Sequence, residues 1–99
     1  MTYSVVLFEP DTSDAQRREA ERRFRAALEQ TLGDPELVAP VYKAYLRIVA
    51  IYGDTPDRES LSEAQRAIFE QWRQAETAAV AAAFGPNRYM GDADYEIRV

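Results

Sequence analysis

Two groups of carboxylates are the residues whose type and spacing could do chemistry in this chain. Asp92, Asp94 and Glu96 alternate, so an extended strand would project all three from one side. Asp54, Asp57, Glu59 and Glu63 gather around a loop and the helix start that follows it. Oxygen ligands so grouped could hold a hard cation. Neither group, however, has the spacing of an EF-hand loop or of another metal motif. Both have simpler uses: charges on an edge strand discourage unwanted pairing, and acids ahead of a helix favour its N-terminus. Carboxylates held on rigid elements also pair with arginine or lysine of another protein. Partner binding is therefore the stronger functional reading of both groups, and metal ligation the weaker. Tyr52 and Tyr89 lie beside them, and tyrosine is favoured as an interface anchor.

Other chemistry is scarce. The chain has no histidine and no cysteine. The commonest general base, the commonest metal ligand and the thiol nucleophiles are therefore missing. A Ser–Lys dyad would have to use Lys43, the only lysine, and nothing around it suggests the burial that would lower its pKa. No catalytic residue, metal ligand or cofactor site is assigned.

The charge balance narrows the partners. The 99 residues carry a formal net charge of −5, and 46% are hydrophobic, the make-up of one small domain over residues 1–99. Surplus negative charge disfavours nucleic acid and anionic membrane and favours approach to basic proteins. No apolar run nears the length of a bilayer span or a signal core. Together with the missing cysteine, this leads us to expect a cytoplasmic protein.

Several elements must position these residues. Leu61–Gly85 predicts a helix with Ile68, Trp72, Ala75 and Ala79 at helical spacing, widened by Phe69, Val80 and Ala83. Glu63, Arg66, Glu70 and Arg73 are spaced for pairing on its opposite side. Ser60 or Ser62 caps it, Ser60 having capping-box spacing to Glu63, and Gly85 is placed as a left-handed terminator. Tyr3–Phe8 predicts a strand, apolar on both faces and so covered on both sides or central. A helix capped by Thr12, Ser13 or Asp14 runs to about Leu32 and closes at Gly33, with Ala20, Phe24, Ala27, Leu28, Thr31 and Leu32 inward. Its five arginines read as a self-paired solvent face, through Asp14–Arg18, Glu19–Arg23, Glu21–Arg25 and Arg25–Glu29. Tyr95, Ile97 and Val99 alternate with polar residues, as in a half-buried strand that can pair with the first.

Leu37–Tyr52 is ambiguous. Leu37, Val41, Tyr45, Ile48 and Tyr52 fit a helical stripe, while Tyr42, Ala44, Leu46, Ile48, Ala50 and Tyr52 fit one face of a strand. Length favours a helix, kinked or restarting near Pro40. The fold expected is α+β, a small sheet of the terminal strands packed by three helices in the order β-α-α-α-β. The alternative, with 42–52 as a strand, is a ferredoxin-like β-α-β-α-β chain.

These features point to a binding protein rather than an enzyme: a small acidic chain that neutralises a basic partner. Its most concrete form is an immunity protein or antitoxin that blocks a bacterial nuclease-type toxin domain. Binding is expected through Tyr52, Asp54, Asp57, Glu59, Tyr89, Asp92, Asp94 and Glu96. The alternatives are a ferredoxin-like homodimer that binds or converts a small ligand, which needs the 42–52 strand, and a structural or assembly subunit.

Overall fold

The computed structural model describes residues 3–8, 13–85 and 95–99. Strand β1 (Ser4–Leu7) is followed by helices α1 (Asp14–Leu32), α2 (Val38–Tyr52) and α3 (Glu63–Phe84), then by strand β2 (Tyr95–Arg98). Single 3-10 turns, Pro35–Leu37 and Arg58–Ser60, precede α2 and α3. The order is β-α-α-α-β, the α+β arrangement expected. The strands pair antiparallel, Val5 opposite Ile97 and Leu7 opposite Tyr95.

Apolar periodicity sets the packing. Phe24, Leu28 and Leu32 of α1 meet Trp72, Ala75, Ala79 and Val80 of α3, beneath Tyr3, Val5, Leu7 and Ile97 of the sheet. Trp72 and Phe24 are the largest fully buried side chains. α1 and α3 share the most extensive contact, which the alanines of α3 permit by letting the two backbones approach. Thr31, expected inward, is exposed. It falls at the edge of the stripe, and Leu32 fills the last core position instead.

Segment 38–52 is one helix, so the strand alternative does not hold. Tyr45 and Ile48 are buried, Val41 and Val49 partly so. Pro40 does not kink the helix, because it is the third residue and its missing N–H falls among those that have no intrahelical acceptor. The helix starts from the Asp34-capped turn, where the Asp34 side chain accepts from Glu36 N.

The caps refine the sequence reading. Ser13 caps α1 in a capping box with Gln16, and Gly33 closes it in the left-handed conformation, φ 87°. α3 begins at Glu63 and is capped by Ser62, boxed with Gln65. Ser60 instead ends the 3-10 turn, so its spacing to Glu63 is unused. Gly85 has positive φ, 103°, but its ψ of 156° takes the chain away extended rather than in the left-handed helical conformation.

β1 is neither central nor covered on both sides among the described residues. Tyr3, Val5 and Leu7 face the helices, whereas Ser4 and Phe8 face outward and are exposed. Among the described residues the sheet has two strands, order β1-β2. No helix among the described residues is long and apolar enough to cross a membrane.

Candidate functional site

The connection between α2 and α3 holds most of the described candidate residues. α2 ends at Tyr52, and Gly53 turns the chain with φ 85° while donating to Val49 O at 2.8 Å. The Asp57 carboxylate accepts from Glu59 N at 3.1 Å, which starts the 3-10 turn. Leu61 anchors the far end at 5% exposure. From α3, Arg73 donates to the carbonyl oxygen of Asp54 at 2.9 Å, and Glu70 pairs with Arg58 at 3.3 Å. Backbone and caps thus hold the connection in place. The carboxylates of Asp54, Glu59 and Glu63 form no ion pair among the described residues.

The acids of α1 behave differently. Asp14 pairs with Arg17, Arg17 with Glu21, Glu19 with both Arg22 and Arg23, and Arg25 with Glu29. The self-paired face expected for α1 is there, but Asp14 takes Arg17 rather than Arg18, and Glu21 takes Arg17 rather than Arg25. The i,i+3 and i,i+4 positions lie equally near on a helix, so the rotamer taken decides the partner, and Glu19 reaches both. In α3, Glu70 and Arg73 likewise turn to Arg58 and Glu76 instead of to each other.

Beside the free acids, α2 presents an unusual outer surface. Leu46 is 43% exposed, Ile51 70% and Tyr52 37%. Ile51 and Tyr52 continue directly into the 53–60 connection, whereas Leu46 lies more than a turn back along the helix. Tyr52, Asp54, Asp57 and Glu59 are therefore brought together, next to apolar side chains that sequence reading had not selected. The signal for Ile51 was available, since it falls off both the helical stripe and the strand alternation.

Glu96 lies elsewhere, on the outward face of β2, where Arg98 holds it at 3.2 Å. Tyr89, Asp92 and Asp94 lie outside the described residues.

A second group escaped the sequence reading. Glu76 is 7% exposed, the one buried charged residue among those described. Arg73 reaches its carboxylate at 3.3 Å, and the Tyr95 hydroxyl donates to it. Burial, followed by the Glu76 charge, pushes the Tyr95 phenol far above its ordinary range. The same two causes, with Glu96, raise Tyr42. Among the described residues, Trp72 Nε1 has no hydrogen-bond partner. Tyr42 and Tyr45 stack near the Trp72 indole, with centroids at 4.8 and 6.0 Å. This group ties β2 to α3. Glu76 stands four residues after Trp72, so helical spacing alone put it on the inner stripe.

A groove lined by Arg58, Phe69, Glu70, Arg73 and Gln74 beside the connection holds about 370 Å³. The cleft between the connection and α3, lined by Arg58, Leu61, Arg66, Phe69 and Arg73, holds about 120 Å³, below the roughly 300–1,000 Å³ of ordinary small-molecule sites. Comparison of the chain with family models, curated proteins and solved structures finds no match.

Proposed function

We propose that this chain is a small acidic binding protein that neutralises a basic partner, in its most concrete form an immunity protein or antitoxin against a nuclease-type toxin domain. The observation that carries the reading is the division of charge between the helices. The acids of α1 are taken up by neighbouring arginines, whereas Asp54, Glu59 and Glu63 form no ion pair among the described residues and stand on a braced connection, beside exposed Ile51 and Tyr52. Apolar anchors ringed by charge are the usual make-up of an interface. Nuclease domains are often basic because they hold phosphates, and an acidic antagonist gains speed and register from complementary charge. Blocking a site requires no catalytic group. The ferredoxin-like ligand reading is less well supported, because the strand it requires is α2.

The test is co-expression with basic nuclease-type domains, beginning with the product of the adjoining reading frame. The reading expects restored growth and a stoichiometric complex, both lost in the Asp54→Lys/Glu59→Lys double variant. If every such domain stays toxic in the presence of the chain, or if the double variant protects as well as the parent, the reading fails.

A further inference from the structure

The Arg73 guanidinium reaches in two directions. Its Nη1 lies 3.3 Å from Glu76 Oε1, and its Nη2 donates to Asp54 O at 2.9 Å. Helical spacing sets the first contact, since Glu76 follows at i+3. Arg73 Cζ lies 5.2 Å from the Phe69 ring centroid and 6.0 Å from that of Tyr45, and the two rings limit where the fork can point. Glu76 is fixed in turn, because the Tyr95 hydroxyl of β2 donates to its other carboxylate oxygen. A continuous row of polar contacts thus runs from the terminal strand, through α3, to the backbone that follows α2. A second tie from α3 to the connection, Glu70 to Arg58, joins two exposed side chains and contributes little.

Stability alone does not call for a carboxylate at residue 76. A buried ion pair is often replaceable by well-packed apolar side chains at no loss, and the neighbours along α3, Ala75, Ala79 and Val80, are apolar and buried. What a carboxylate adds is geometry, because it holds the Arg73 fork and the Tyr95 hydroxyl at once. We propose that Glu76 and Tyr95 are positioning residues for the 53–60 connection, acting through Arg73, so that β2 and the carboxylate-bearing connection form one coupled unit. Without the Glu76 carboxylate, partly exposed Arg73 loses the group that orients its fork, turns toward solvent and releases Asp54 O. The backbone ahead of the 3-10 turn then opens. The coupling is reciprocal: a ligand that holds the connection in its present form tightens the Tyr95–Glu76 contact by the same factor. That the connection is a binding surface rests on the proposed function, whereas the coupling is a property of the free chain.

The test is amide hydrogen exchange, followed by NMR on the full chain with no partner present. The reporters are Ser60 N and Leu61 N, which donate to Asp57 O and Arg58 O. Glu76→Gln should speed their exchange about tenfold, the worth of one charge-assisted hydrogen bond. Tyr95→Phe, which keeps the ring against Phe24, should speed it severalfold. Gly33 N, which closes α1, should change less in both variants. In an Arg73→Met background, Tyr95→Phe should leave the reporters unchanged, because the route is already cut. Ser13→Ala removes a cap remote from the row and should weaken the fold without selecting the connection. The proposal is overturned if Ser60 and Leu61 exchange alike in the parent and both variants, or if Ser13→Ala speeds them as much as Glu76→Gln. It is also overturned if Tyr95→Phe acts equally with and without Arg73. Failure of every basic domain to bind would sink the proposed function and leave these exchange rates as they are, so the two readings fail separately.

Discussion

Ile48 and Ile51 lie three residues apart on α2, and their substitution by alanine should have opposite consequences. Ile48 is 3% exposed and Ile51 70% exposed. Ile48→Ala removes three buried carbons, about 2.4 kcal/mol of transfer free energy at ~0.8 kcal/mol each. The cavity left behind brings the cost to about 3 kcal/mol. For a domain of this size that is a fall in Tm of about 12 °C or more. Ile51→Ala loses about a third of the transfer term, near 0.7 kcal/mol, and regains roughly 0.4 kcal/mol through alanine's higher helix propensity. Its net effect should lie within about 0.5 kcal/mol of zero. Urea unfolding followed by circular dichroism measures both, with the m-value checked for constancy. In binding the order should reverse, with Ile51→Ala weakening the complex and leaving the fold intact. If the two substitutions destabilise equally, or if Ile51→Ala is the more damaging, the orientation of α2 is wrong and the proposed interface goes with it.

Further expectations follow from particular contacts. Ser62→Ala should cost about 1 kcal/mol of stability in urea unfolding and Ser60→Ala almost nothing, because only Ser62 accepts from the helix backbone. Arg73→Ala removes both the partner of buried Glu76 and the brace on Asp54. It should cost about 2 kcal/mol by the same assay, discounted from the fully buried case because Arg73 is partly exposed. Ultraviolet titration of the native protein should show Tyr3, Tyr42, Tyr45 and Tyr95 resisting ionisation past the ordinary tyrosine range, since burial raises all four. Their raised folded pKa values mean that the stability they contribute is fully present below about pH 10 and is lost as pH rises through the folded values. Thermal melts should therefore decline on the alkaline side of that point.

The elements were legible where two signals agreed. α1 carried both a Ser13 cap and a terminal glycine around an apolar stripe, and it lies where the pattern put it. α2 was ambiguous because apolar residues occupy nearly all of its circumference, so a period of two fits almost as well as 3.6. What decides the matter is tertiary: Tyr45 and Ile48 bury together, and Leu46 does not. The rank of Ser62 over Ser60 depended on a 3-10 turn that uses Ser60, which no spacing rule reveals. The acidic loop could be read from composition, but the lack of ion pairs to Asp54 and Glu59 among the described residues could not. That depends on Arg58 and Arg73 turning toward Glu70, Glu76 and a backbone carbonyl. The exposed edge of β1 was hidden for a similar reason, because an apolar strand looks central until the number of strands is known.

The most direct test is calorimetric titration of the purified chain with a basic nuclease-type domain at low and raised salt. The account expects a one-to-one complex whose affinity falls about tenfold or more between roughly 50 and 200 mM salt. It also expects the Asp54→Lys/Glu59→Lys variant to lose most of that salt dependence along with the affinity. Binding indifferent to both salt and charge reversal would contradict it.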